Sequence, residues 1–151
     1  RIRDIPPVII DGAHTPQSTA YCIDTFASLY GKAGILLFGC AARKDAYTMA
    51  KTLAPQFSRI IVTTPGNFKV SYPEQVYDIF RGIINGDAFT GAFVGRQREK
   101  PELIFIKDTG TAIEKALALG KETVLPVLGI GSFYLVAEIR NRALNRNPPT
   151  T

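Results

Sequence analysis

The sequence predicts a doubly wound α/β domain, a mostly parallel sheet of five or six strands with helices on both faces. Three observations carry that expectation. Short runs rich in Ile, Val and Leu alternate along the chain with segments whose apolar residues recur at near-helical spacing. Runs such as ILLFG at 35–39 are apolar at successive positions, the pattern of strands covered on both faces. Successive β-α units joined by right-handed crossovers place parallel strands side by side and helices on the faces.

The first strand is expected at 8–11 (VIID), after Pro6 and Pro7. A helix follows over 16–30, where Ala20, Cys22, Ile23, Phe26, Ala27 and Leu29 share one spacing, and Gly31 stands where a left-handed glycine would stop it. The second strand is 35–39, followed by a helix over 45–54 that halts at Pro55. The third strand is 59–64 (RIIVTT). Beyond Pro65, Gly66 and Asn67, Ser71 and Glu74 have the spacing of a capping box, which predicts a helix over 72–84. Residues 85–101 are long for a connection inside a compact domain and leave room for a short helix or an extra strand. The fourth strand is 103–107 (LIFIK), after which Thr111 and Glu114 form a second capping box, opening a helix that ends at Leu119 before Gly120. Residues 124–130 make the last strand and 132–144 the last helix. One domain is expected over 1–145, and 146–151, with Pro148 and Pro149, reads as a disordered tail.

Composition narrows the function. A chain of 151 residues that is 46% hydrophobic can bury a core without disulfides or a structural metal. No apolar run approaches the ~20 residues of a bilayer span, which excludes a membrane-spanning helix. Neither G-x-x-x-x-G-K-[ST] nor G-x-G-x-x-G occurs, so a nucleotide would have to be met by another device. Cys22 and Cys40 have no ligand or redox spacing, and with His14 the only histidine no metal site is expected. No signal peptide is expected, a reducing cytosol is the expected compartment, and the start at Arg1 suggests a piece of a longer chain. The net charge is +5, with clusters at Arg96, Arg98 and Lys100 and at Arg140, Arg142 and Arg146. No aromatics interleave with them, so they read as solvated faces rather than a nucleic-acid platform, and a small anionic substrate fits the charge better.

In doubly wound sheets ligands bind beyond the carboxyl ends of the strands, where the strand order reverses. With strands ordered 3-2-1-4-5 in sequence numbering, the loops at 11–16 and 108–111 flank that point, with 129–132 one strand further out. Asp11, Gly12, Ala13, His14, Thr15 and Pro16 put a carboxylate and an imidazole across a small-residue turn. Gly12 would allow close backbone approach and Pro16 would fix the start of the helix. Alternatively, Asp11 ties the turn through backbone N–H groups and His14 caps the helix. Gly129, Ile130, Gly131 and Ser132 offer N–H groups and a hydroxyl at a helix start, either a carboxylate or phosphate seat or a plain N-cap. Arg43, Lys44 and Asp45 add two cations to the same rim, or form a solvated helix start.

The run VIIDGAHTPQS resembles the motif that opens the C-terminal domain of folylpolyglutamate and dihydrofolate synthases, a branch of the Mur-type ATP-dependent amide ligases. Phe38, Gly39 and Cys40 through Arg43, Lys44 and Asp45 are similar to that branch's strand, glycine and D-K-D segment, Thr63, Thr64 and Pro65 to its third strand end, and GSFYLVAE at 131–138 to its closing motif. The resemblance runs from Val8 to about Arg142. It implies a Rossmann-like C-terminal lobe closing over a site whose phosphate loop and Mg2+ ligands belong to an N-terminal ATPase domain of the same chain. There a substrate carboxylate would be activated as an acyl phosphate, and L-glutamate would attack to form an amide. The resemblance implies catalytic roles for His14 and Lys44, contacts of Asp11, His14 and Asp45 with ATP, and contacts of Ser132, Arg43 and Lys69 with substrate. The implied partners are ATP, L-glutamate and a folate or dihydropteroate, with Mg2+, and the isolated lobe should be inactive and bind ATP weakly. Departures are Thr15 for asparagine, Arg43 for the first acid of D-K-D, Lys69 where an arginine is frequent, and a longer, more basic 85–101. Two other readings are the corresponding lobe of a peptidoglycan-precursor Mur ligase, and a non-catalytic nucleotide-binding α/β module.

Overall fold

The computed structural model describes residues 1–4, 6–94 and 97–145. Two faces of one sheet organise it. The strands are β1 (Arg3–Asp4), β2 (Pro7–Asp11), β3 (Gly34–Phe38), β4 (Phe57–Val62), β5 (Ala92–Val94), β6 (Gln97–Glu99), β7 (Glu102–Phe105) and β8 (Val127–Ile130). The helices are α1 (Pro16–Tyr30), α2 (Ala46–Leu53), α3 (Pro73–Ile84), α4 (Thr109–Thr123) and α5 (Phe133–Leu144). The main sheet runs β1-β2-β8-β3-β4-β7. Its last five strands are parallel, and the two-residue β1 pairs antiparallel with β2 at the edge.

Successive residues of each strand face opposite layers. Leu36, Phe38, Ile60, Val62, Leu128 and Ile130 pack with Ile23 and Phe26 of α1, Met49 and Leu53 of α2, and Val76 and Phe80 of α3. On the other side Ile35, Leu37, Ile61 and Val127 meet Ile113 and Leu117 of α4 and Leu135 and Ile139 of α5. Each such aliphatic burial contributes roughly 1.5–3 kcal/mol, which is why both faces carry helices.

The strand order differs from expectation. In sequence numbering it is 1-5-2-3-4, because α4 returns across the face opposite α1, α2 and α3 and inserts β8 between β2 and β3. Burial accounts for the exchange of central and edge places: all four residues of β8 are buried, whereas β7 keeps Glu102 exposed and is only partly covered elsewhere. Gly129 helps, since a Cβ there would lie 2.2 Å from Ile139 Cδ1, so α5 settles directly on β8.

Several boundaries also move. Gly31 stops α1 as expected, at φ +76 with its N–H donating to Ala27 O at 2.9 Å. The second helix halts before Pro55 as expected, at Leu53, and a 3-10 turn over Ala54–Gln56 then carries the chain into β4. The Ser71 and Glu74 box is not formed; α3 starts at Pro73, whose fixed φ suits the first helical position, and Glu74 pairs with Lys107 at 3.0 Å. Asp108, not Thr111, caps α4, accepting from Thr111 N at 2.8 Å. Gly120 lies inside that helix, where a Cβ would come within 2.7 Å of Val127 Cγ2; the helix ends instead at Thr123, capped by Val124 at φ 57, and the last strand begins at Val127. Residues 85–101 contain the antiparallel β5-β6 pair, separate from the main sheet. Arg96, Arg146 and the expected tail at 146–151 lie outside the described residues.

Candidate active site

The loops after β2 and β3 lead to helices on one face, and the loop after β8 leads to α5 on the other. The chain therefore diverges on both sides of β8, which makes the carboxyl ends of β2, β8 and β3 the reversal point where ligands of such sheets bind. The loops at 11–16, 39–45 and 129–132 meet there. The fourth loop, 108–111, lies farther along the same edge beyond β7.

The first loop is held internally. Asp11 Oδ1 accepts the Ala13 N–H at 2.8 Å. Asp11 thus takes the turn-tying role. Burial, with the neighbouring Asp11 carboxylate, pushes the Cys22 thiol up to about 12. Thr15 and Ser18 cap α1 reciprocally: Thr15 Oγ1 accepts from Ser18 N and Ser18 Oγ from Thr15 N, both at 3.2 Å. Threonine in place of asparagine is therefore accommodated as a cap.

His14 does not cap the helix. Its Nδ1 lies 2.9 Å from Gly12 O and its ring centroid 5.2 Å from that of Phe133. A carbonyl oxygen only accepts, so Nδ1 carries the proton and a neutral ring keeps its Nε2 lone pair for another donor. The group closely approaching Gly12 is the Phe133 ring, 2.3 Å from where a Cβ would stand.

The last loop locks onto the first. Gly131 N–H donates to Ala13 O at 3.0 Å, and its φ of +116 turns the chain into α5. A Cβ at Gly131 would sit 2.5 Å from Gly39 O, so β8 and β3 end in backbone contact. Ser132 is only 8% exposed and its Oγ accepts from Tyr134 N at 3.2 Å, which gives it the N-cap role.

In the middle loop, Asp45 caps α2, accepting from Thr48 N at 3.1 Å and from Thr48 Oγ1 at 2.8 Å. These bonds hold its carboxyl below the usual range. Burial pushes the Cys40 thiol up to about 11 against the opposing pull of Lys44. Arg43, Lys44 and Lys69 line a cavity of about 690 Å³ with Ala41, Ala42, Val70 and Tyr72. No carboxylate is among the lining residues, although Asp45 borders an adjoining cavity of about 260 Å³. The structure thus gathers His14 with Ser132 at the β2-β8 junction and Arg43, Lys44 and Lys69 round a separate cavity after β3, while Asp11, Asp45 and Ser132 support backbone.

Residues 1–131 match the family profile described as Mur ligase, glutamate ligase domain. The chain belongs to this family. It is 25% identical over 145 residues to a folylpolyglutamate synthase of Lacticaseibacillus casei, covering 95% of this chain and 28% of the relative. It is 31% identical over 129 residues to a UDP-N-acetylmuramoyl-L-alanyl-D-glutamate–2,6-diaminopimelate ligase of Aquifex aeolicus, covering 82% of this chain and 24% of the relative. Among solved structures, the folylpolyglutamate synthase of Mycobacterium tuberculosis complexed with ADP and AMPPCP shares the fold with a TM-score of 0.70 at 21% identity, over 98% of this chain and 32% of that one. The Thermotoga maritima folylpolyglutamate synthase gives 0.70 at 18% identity, over 93% of this chain and 28% of that one. This Mur ligase domain therefore spans about a quarter to a third of the length of these relatives.

Sequence reasoning missed one part of this Mur ligase domain. A second cavity, of about 820 Å³, lies where the 64–68 loop and the start of α4 meet α5, lined by Phe68, Asp108, Tyr134 and Arg142 among others. Phe68 and Tyr134 stack with centroids 5.2 Å apart and planes 22° apart. The aromatic residues were visible, but their meeting depends on the strand order. Among the described residues no helix is long and apolar enough to cross a membrane, and no group of three or more His, Cys, Asp or Glu could hold a metal ion.

Proposed function

We propose that this chain, as one lobe over 1–145, is the C-terminal part of a cytosolic ATP-dependent ligase that adds L-glutamate to a folate or dihydropteroate. In the reaction, a substrate carboxylate oxygen attacks the γ-phosphorus of ATP and ADP departs. The glutamate amine then attacks the acyl carbon of that acyl phosphate, forming the amide as phosphate leaves and the amine loses a proton. Two observations support the reading: the DGAHTP turn is bonded to the GSFY turn, and the loop after the adjoining strand β3 lines a cavity with three cations and no carboxylate.

In this proposal His14 Nε2 accepts from the nucleotide or from the attacking amine, and Lys44 faces the phosphate being transferred. Arg43 and Lys69 hold the carboxylates of glutamate. None of these three cations is ion-paired with a described carboxylate, so each can compensate anionic charge as it develops. Asp11 holds the turn bearing His14, Asp45 fixes the helix start beside Lys44, and Ser132 acts through the helix it caps. Mg2+ neutralises phosphate charge when bound. In this reading its ligands come mainly from the N-terminal ATPase domain that the family resemblance implies.

The identity to a diaminopimelate ligase favours a second reading, a peptidoglycan-precursor ligase. Diaminopimelate carries an ammonium that glutamate lacks, and the cavity would set it against cations with no lining carboxylate to receive it. The deciding experiment measures ADP release by the full-length protein with ATP and Mg2+. One arm uses L-glutamate with dihydropteroate or a folate, the other diaminopimelate with UDP-N-acetylmuramoyl-L-alanyl-D-glutamate. Turnover in the first arm alone is expected. Turnover only in the second establishes the second reading, and none in either, with ATP still bound, leaves a non-catalytic module. These 151 residues alone should bind ATP weakly without turnover, and ligation by them would overturn the division between lobes.

A further inference from the structure

Lys69 reaches the cationic cavity from a stretch with few internal ties. At one end Thr109 Oγ1 donates to Thr64 O at 2.6 Å, and at the other Ala42 N–H donates to Val70 O at 2.9 Å. Between these anchors, residues 66–69 make no hydrogen bond to a described residue. What ties them down is the stack of Phe68 on Tyr134, although Phe68 is 79% exposed. An aromatic ring left this open serves no burial. Its partner, in contrast, is firmly placed: Tyr134 lies in the first turn of α5, its N–H donates to Ser132 Oγ at 3.2 Å, and the preceding Gly131 is bonded to Ala13. Gly66, at φ +124, brings the loop over the same turn, 3.5 Å from a built Cβ to Tyr134 Cβ.

We infer that the Phe68–Tyr134 stack is a clasp that sets Lys69 in the wall of the acceptor cavity, which makes Phe68 and Tyr134 positioning residues for acceptor affinity. This rests on the cavity's proposed role in holding the acceptor carboxylates. The clasp joins the β2-β8 junction, through α5, to the cationic wall, so one aromatic contact aligns the two halves of the lobe's site. Losing it lets the 66–69 stretch sample other conformations, and the acceptor must then restore the order at the expense of its own affinity.

The test uses the full-length ligase, with KM for L-glutamate, KM for ATP, kcat and melting temperature measured for Phe68→Ala, Tyr134→Ala, their double variant and Tyr134→Phe. An aromatic pair of this kind corresponds to an about two- to twelvefold effect. Each alanine variant is expected to raise KM for L-glutamate by that factor, with KM for ATP, kcat and melting temperature near wild type. The double variant should be no worse than either single one, and Tyr134→Phe, which keeps the ring, should restore wild-type behaviour. Unchanged KM for L-glutamate in Phe68→Ala, an equal rise in KM for ATP, or a Tyr134→Phe variant as impaired as Tyr134→Ala would overturn the clasp. Lys69→Met separates the two levels. If it leaves KM for L-glutamate unchanged, the reading of the cavity fails; if it raises that KM while Phe68→Ala does not, only the clasp fails.

Discussion

Replacing Gly131 by alanine probes the junction on which the candidate site depends. At φ +116 the residue lies outside the conformations an alanine adopts comfortably, and the new Cβ would stand 2.5 Å from Gly39 O, a backbone atom that cannot swing aside. Holding a non-glycine residue in such a conformation costs about 1–3 kcal/mol. Relieving the clash by moving the chain stretches the Gly131 N–H bond to Ala13 O, worth roughly 0.5–1.5 kcal/mol net. Reduced freedom of the unfolded chain offsets about 0.4–1 kcal/mol. The expected loss is therefore about 0.5–4 kcal/mol, centred near 2, or roughly 1–16 °C in melting temperature for a chain of this size. Far-UV circular dichroism during heating, with urea unfolding at constant m-value, measures it directly. Gly82→Ala supplies the opposite sign: it lies inside α3 with open space around its built Cβ, so alanine should add about 0.5–1 kcal/mol. If Gly131→Ala melts within about 1 °C of wild type while Gly82→Ala behaves as expected, the junction is not the constraint described.

In the full-length enzyme, Ser132→Ala should cost about 1 kcal/mol of stability as a lost N-cap. His14→Ala should instead lower turnover more than stability; wild-type kinetics in His14→Ala would reduce that residue to packing against Phe133. Asp108 supports α4 through a carboxyl held below its ordinary range by bonds from the Thr111 hydroxyl and N–H. A group depressed in the folded state stabilises above its unfolded pKa of about 4 and loses that contribution as pH falls through the lower folded value. The stability gap between wild type and Asp108→Ala, followed by urea unfolding, should therefore be full near neutrality and shrink below about pH 4, and a gap constant down to pH 2 would contradict this. With the Cys22 and Cys40 thiols pushed up to about 12 and about 11, a thiol reagent at pH 8 should label the native chain far more slowly than the unfolded one. Equal labelling rates would show that neither environment persists in solution.

The elements legible in the sequence were those whose cause is local. ILLF is apolar at every position, and β3 is buried at every position. Gly31 reads as a helix stop because a left-handed residue is needed there. Where the cause lies far along the chain, the pattern misled. Ser71 and Glu74 have the spacing of a capping box, yet Pro73 sets the helix start and Lys107 takes the glutamate. Gly120 looks like a stop but is a packing glycine against Val127. LIFIK and VLGI are similarly apolar, so periodicity did not tell the edge strand from the central one. The same division runs through the site. The DGAHTP and GSFY turns were recognisable as units, and Arg43 and Lys44 as a rim. The convergence of Lys69 with that rim, and the stacking of Phe68 on Tyr134, depend on segments made neighbours only by the sheet.

The strand that comes last along this domain occupies the place between its first long strand and its second. Until residues 127–130 have left the ribosome, β2 has only the two residues of β1 beside it and the inner edge of β3 stands open. The central pairings therefore close loops of roughly a hundred residues, a topology that slows folding and delays completion of the sheet until nearly the whole domain is available. The contact between Ala13 and Gly131 is consequently a late event, so the two motifs come together only in a chain that has finished folding.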